Sequence, residues 1–201
     1  MRKNITKIKS LVTYGGIFSG YSFRGKISAD IDGKLQVIQL KDIENDYTEI
    51  GNECIFIKRH KVKDKYYLKQ GDILFTSKGA NNYAIVYNPK GDIESVASSA
   101  FFVLRIDQEK AIPNYVAWYI NQKKVQKYLE SQATGTYTTS INRETIENIS
   151  ILLPSIEQQN KIAEIASLAS KEQNLYTQLI ENRSRLIQTQ LLTTLKMNYD
   201  S

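Results

Sequence analysis

The sequence predicts an α+β protein: a mixed β-sheet or barrel-like domain with short helices over residues 1–154, then one long α-helix over residues 155–201. Three observations predict it. Short apolar runs separated by Gly, Asn and Asp turns occupy residues 35–106. An apolar spacing of three and four runs from Ile162 to Leu195. All ten glycines and all three prolines lie at or before Pro154, which leaves about 40 residues without a helix breaker, a span of roughly 60 Å at 1.5 Å per residue. Such a helix outruns a domain of ~150 residues, so something else must cover its far end.

Taken in order, Met1 to Ser10 is basic but has no apolar run of signal-peptide type, and no stretch of 18 apolar residues follows, which predicts a cytosolic protein without a membrane span. Ile5 to Tyr14 alternates apolar and basic residues. Gly15, Gly16 and Gly20 then predict a flexible bend ahead of Tyr21, Phe23 and Arg24. The glycine spacing mimics a phosphate loop, but Tyr21 stands where the lysine belongs, so no side chain would meet the β and γ phosphates. Arg24 with its aromatic neighbours suits a nucleic-acid backbone, or a plain turn.

Strands are expected at Leu35–Leu40, Cys54–Ile57, Ile73–Thr76, Ala84–Tyr87 and Ala100–Ile106. The lone Cys54 is expected to be a buried small hydrophobe. Between the second and third strands runs the most basic window, Lys58 to Tyr67. If it is extended, Arg59, Lys61, Lys63 and Lys65 share one face and form a cationic row able to track phosphates; otherwise it is a solvated hairpin. His60 is the only histidine, and nothing near it makes a metal site. The loop Thr76 to Asn82 holds Lys78, Asn81 and Asn82, side chains able to bond base edges or to close a turn. Pro113 starts a helix over 114–121 whose Tyr115, Trp118 and Tyr119 belong in the core, and Lys123, Lys124 and Lys127 line a second short helix. The hydroxyl-rich stretch after Gly135 leads to Asn142, the expected cap of a helix over 143–148.

The long helix has a defined start. Pro154 ends the preceding strand-like run, and Ser155 with Gln158 forms the S-x-x-Q capping box. Its apolar stripe comprises Ile162, Ile165, Leu168, Ala169, Leu175, Tyr176, Leu179 and Leu186, continuing through Ile187, Leu191 and Leu195. With one such helix per chain, the simplest partner is a second copy. Glu172 and Arg183 interrupt the stripe at interface positions, where opposite charges invite cross-pairing.

Charge separates the two parts. Residues 1–150 carry 22 Lys and Arg against 16 Asp and Glu, which is the whole formal excess of +6, while residues 151–201 carry five of each. A basic domain on a neutral helix suits a polyanion at one and protein at the other. One histidine leaves no nucleophile and base pair to propose, and neither a metal-binding H-E-x-x-H nor a Walker A motif is present. Asn88 and Pro89 match only the first half of the N-P-P-[YF] of adenine methyltransferases, with no glycine-rich cofactor loop. No catalytic site is expected.

The run from Ile112 to Ala166 resembles the specificity (S) subunit of type I restriction-modification systems. It has the Gly135-Thr136 segment, then a strand, then Leu152, Leu153, Pro154, Glu157, Gln158 and Gln159 leading into the long helix. Upstream, Val37 to Gln39 before Asp42 and Ile43, and Gly71 to Phe75, also match; the glutamate here precedes two glutamines, a minor departure. The resemblance implies a target recognition domain at 1–154 that binds double-stranded DNA, with Tyr137, Thr138 and Thr139 on its DNA side. It implies an intermolecular antiparallel coiled coil at 155–201. Methyltransferase (M) subunits would bring S-adenosylmethionine, and restriction (R) subunits would bring ATP and Mg. Family members usually carry two recognition domains and two long helices; this sequence has one of each, so it would act as a homodimer or pair with another subunit. The alternative is a nonspecific nucleic-acid-binding or coiled-coil scaffold protein.

Overall fold

The computed structural model describes residues 4–44, 49–51, 53–58, 62–78, 82–89, 91–133 and 140–197, with residues 196 and 197 as backbone only. It divides into two compact units, residues 1–163 and 164–201.

The first unit is built on β10 (Phe101–Ile106), whose alternating side chains serve two cores. Leu104 and Ile106 join a large cluster with Ile17, Ile73, Phe75, Tyr115, Val116 and Ile120. Phe101 and Val103 face a smaller one with Ile38, Leu74, Tyr87 and Ala97. Period-two alternation with both faces covered explains why these strands read as continuous apolar runs. β2 (Val12–Ser19) and β7 (Ile73–Thr76) flank β10, and β8 (Ala84–Val86) completes an antiparallel sheet in the order β2-β10-β7-β8. A second sheet places β3 (Leu35–Ile38) antiparallel to β6 (Ile55–Ile57) and parallel to β9 (Ser95–Ala97). β4 (Ile43–Glu44) and β5 (Glu49–Ile50) form a short hairpin. The barrel-like expectation is corrected: among the described residues the strands form separate open sheets.

Gly15 and Gly16 are no flexible bend. They lie inside β2, opposite a register shift at which Val12 pairs with Ile106 and Ile17 with Leu104. The strand absorbs its surplus residues as a bulge, with Gly15 at φ 69°, the left-handed conformation that favours glycine. Helix α1 (Pro113–Ile120) starts on its proline and buries Tyr115, Val116 and Ile120, with Trp118 and Tyr119 partly buried on the same cluster. α2 (Lys123–Gln132) buries Val125 and Leu129. α3 (Arg143–Glu147) is capped by Asn142, whose Oδ1 accepts from the Thr145 amide at 2.8 Å. Cys54 is buried, and desolvation pushes its thiol up to about 11.

One ion pair is built into this unit. Arg105 donates to both carboxylate oxygens of Asp72, at 2.8 and 2.6 Å, and to the carbonyl of Tyr67. The Lys69 amide also donates to Asp72, whose side chain is 2% exposed. A two-pronged guanidinium with its acceptors filled is the arrangement in which a buried charge is tolerated.

The start of the long helix is woven into the first unit. β1 (Ile5–Lys7) pairs with β11 (Ser150–Leu152), Asn4 O accepts from the Leu153 amide, and Tyr115 Oη donates to Leu152 O at 2.5 Å. Helix α4 (Ile156–Met197) is opened by Ser155 Oγ, which accepts from the Gln158 amide at 3.3 Å. Gln159 is 1% exposed: its Oε1 accepts from the Ile112 amide and its Nε2 donates to Pro154 O. Ile162 and Ala163 are half-buried against the large core cluster. Among the described residues no helix is long and apolar enough to cross a membrane.

The second unit continues α4, which at 42 residues spans about 63 Å in all. Its threonines 177, 189, 193 and 194 return their hydroxyls to the carbonyls four residues back. The apolar stripe lies open in this chain: Ile165, Leu168, Leu175, Tyr176, Leu179 and Leu186 are 57–67% exposed. Ala169, Glu172 and Arg183 are exposed beside them.

Candidate nucleic-acid interface

Segment 20–34 leaves β2 and crosses to β3, and its path is fixed at both ends. Gly20 donates to Phe101 O, Tyr21 bridges Ser98, Asp30 donates to Phe56 O and Lys34 to Ile57 O. Gly20 lies so close to the carbonyls of Ser98 and Ala97 that a Cβ there would collide with them. The segment and the end of β6 enclose an open groove of about 510 Å³ lined by Tyr21, Phe23, Arg24, Lys26, Asp30 and Lys58 among others. Arg24 and Lys58, distant in sequence, thus share one groove, together with Lys26, which the sequence reading missed. Asp30 pairs weakly with Lys58, at 3.6 Å, and leaves that lysine 73% exposed. An exposed pair of this kind contributes at most ~1 kcal/mol and yields readily to a phosphate.

Aromatic rings stiffen the groove wall. Tyr21 meets Phe23 and Tyr66 edge to face at 4.7 and 5.4 Å, and Tyr66 continues to Phe18 at 6.3 Å. Lys65 Nζ sits 4.8 Å above the Tyr66 ring. Asp64–Tyr66 is a turn of 3-10 helix, so the expected two-residue row cannot continue past Lys63 in extended form. Lys63 and Lys65 are both exposed. Arg59 and Lys61 lie outside the described residues.

The loop after β7 is set by its carbonyls. Ser77 donates through both amide and hydroxyl to Ala100 O, Ile141 donates to Ser77 O, and Lys78 forms a β-bridge with Ser140. Lys78 is exposed. Asn82 is not presented to a ligand: it is 8% exposed, its Nδ2 donates to Thr76 O, and its carbonyl accepts from Gln126 Nε2. A buried amide needs partners, and the end of β7 supplies them. Asn81, Tyr137, Thr138 and Thr139 lie outside the described residues. The turn Ser98–Ala100 therefore lies between Tyr21 on one side and Ser77 on the other, so the Tyr21 end of the groove and the Lys78–Ser140 bridge flank one turn, while Lys58 follows Ile57 at the opposite end of β3.

Among the described residues no three His, Cys, Asp or Glu gather to hold a metal ion. Buried acids do structural work. Asp42 accepts from the Gln39 amide at 2.8 Å, and burial pushes its carboxyl above the usual carboxylate range despite that bond.

The first unit is thus an α+β unit with a basic, aromatic-walled groove, a surface of the class that suits a polyanion. The sequence profile described as type I restriction modification DNA specificity domain matches residues 6–182. The chain belongs to that family. It is 30% identical over 134 residues to the type I restriction enzyme StySPI specificity subunit of Salmonella potsdam, covering 64% of this chain and 29% of that protein. It is 25% identical over 182 residues to the MjaIX specificity subunit of Methanocaldococcus jannaschii, covering 89% and 39%. The crystal structure of the HsdS subunit from Thermoanaerobacter tengcongensis superposes with a TM-score of 0.60 at 15% identity, covering 86% of this chain and 43% of that one, a likeness of fold. The chain thus spans less than half the length of these relatives.

Proposed function

We propose that the chain is the sequence-reading, non-catalytic part of a type I restriction-modification complex, acting in the cytoplasm as a homodimer. The observation that carries this reading is the open apolar stripe of α4, on a chain whose family is defined by DNA specificity. Residues 1–154 recognise double-stranded DNA and residues 155–201 dimerise through an antiparallel coiled coil. With Glu172 of one copy facing Arg183 of the other, the dyad falls near Tyr176 and Leu179. The dyad presents one reading surface twice, so the target is an interrupted palindrome with half-site centres about 10 base pairs apart.

Groove cations meet phosphates and supply salt-sensitive affinity, while loop side chains choose the bases at ~1–3 kcal/mol per good contact. Tyr137, Thr138, Thr139 and Asn81 are the candidates for that choice. M subunits bring S-adenosylmethionine, R subunits bring ATP and Mg, and this chain directs where they act. The test is coexpression with the M subunit and single-molecule mapping of N6-methyladenine across a genome. An interrupted palindrome is expected. A continuous or asymmetric motif overturns the symmetric dimer, and methylation without sequence preference overturns specificity in favour of a nonspecific binder.

A further inference from the structure

We infer that Lys123 and Lys127 of α2 form a second phosphate-contact face, on the flank of the DNA-reading edge opposite the Arg24–Lys26–Lys58 groove. The inference rests on the DNA-binding reading above.

The face is located by contacts that run unbroken across the sheet edge. From the groove, Tyr21 bridges Ser98, and Ser77 reaches Ala100. Asn82 holds Thr76 O, and its own carbonyl receives Gln126 of α2 at 3.0 Å. At the α1–α2 junction Asn121 exchanges two hydrogen bonds with the backbone of Ala84, pairing with β8 as a further strand would. The start of α2 is thereby fixed beside β8, at the edge that also carries Gly20, Ser77 and Lys78. The four-stranded sheet puts β8, and with it the start of α2, three strand spacings, roughly 14 Å, from β2, which runs into Tyr21 at the groove.

Which lysines face that way follows from helical geometry and burial. Val125 and Leu129 fix the buried side of α2, and Gln126 fixes the side toward Asn82. At about 100° per residue, Lys123 lies roughly 60° and Lys127 roughly 100° from Gln126 on its solvent side, within about 40° of each other. Lys124 lies roughly 160° away and lines a different, apolar recess with Ile5, Tyr119, Tyr128 and Leu152. Lys123, Lys124 and Lys127 are all exposed. The first turn of α2 contains no acid, and its N-cap Gln122 caps none of the helix amides, its side chain donating instead to Trp118 O. Lys123 in that first turn opposes the helix dipole, and a bound anion relieves the conflict.

The experiment uses the full chain and a random-sequence DNA duplex, with the dissociation constant measured by fluorescence anisotropy from low to moderate salt. Removing two phosphate contacts in K123Q/K127Q is expected to flatten the slope of log K against log salt by about two and to weaken binding roughly ten- to hundredfold. The control K69Q/K124Q removes the same charge from exposed lysines off this edge and is expected to leave the slope close to that of the parent chain. Circular dichroism and thermal unfolding should match for all three proteins. Equal slopes for the two double variants, whether both changed or both unchanged, overturn the inference while leaving DNA binding in place. No salt-dependent binding by the parent chain overturns the DNA-binding reading itself.

Discussion

The two units of this molecule spend their apolar residues in opposite ways. In the first, Phe75, Phe101, Val103 and Ile151 are fully buried; in the second, Ile165, Leu179 and Leu191 are each more than 60% exposed. Burying one such side chain is worth ~1.5–3 kcal/mol. The first unit holds that energy within its own fold, and the second leaves it unrealised in the single chain. Stability and assembly should therefore be separable by mutation.

The largest effect is expected in the second unit. Replacing Leu175 and Leu179 by Asp removes four buried leucines from a homodimer, roughly 6–12 kcal/mol, enough to dissociate it at micromolar concentration. Light scattering should show the mass halve while the unfolding of the first unit is unchanged; an unaltered mass would reject the dimer. Arg105→Met reverses the comparison. It leaves Asp72 buried without its cation, an expected loss of ~3–5 kcal/mol in denaturant titrations of the first unit, with the oligomeric state intact. Gln159→Ala leaves the part-buried Ile112 amide without its acceptor and should cost ~1 kcal/mol, seen as a lower denaturation midpoint.

The smallest effect sharpens the comparison by pH. Burial pushes the Tyr115 hydroxyl up to about 12 from an ordinary 10.0, while the same tyrosine in the unfolded chain ionises at its ordinary value. The folded state holds the proton longer, so this contribution is fully present below pH 10 and is lost as pH rises from 10 to 12. Tyr115→Phe should cost ~1 kcal/mol at neutral pH by losing the bond to Leu152 O, and should flatten the alkaline fall in stability. An unchanged alkaline slope would mean that Tyr115 does not carry it.

Several elements of the fold were readable in the sequence, and what was not has physical causes. Ile73–Thr76 was placed correctly because a strand buried on both faces leaves a compact apolar run. The start of α4 was readable because Pro154 and Ser155 act locally. β2 was missed because its bulge sets surplus residues at Gly15 and Gly16, which read as a turn, opposite a partner some 90 residues away. Gln159 looked like one more polar residue in a helix; its role depends on Ile112, 47 positions upstream. Lys26 has no periodicity to mark it, and only the crossing of segment 20–34 brings it beside Lys58. Asn82 misled in the other direction, since composition does not say that an amide is taken up by a neighbouring carbonyl.

The pairing of β1 with β11 gives the first unit the form of a closed loop. The chain enters at Asn4 and leaves at Leu153, two residues joined by a hydrogen bond of 2.8 Å. A folded unit whose ends meet can be spliced into another polypeptide, moved along a gene or swapped for a differently looped homologue without stretching its flanking sequence. In genetic terms it is a cassette: its surface loops can diverge or be exchanged wholesale while the junction at residues 4 and 153 stays the same.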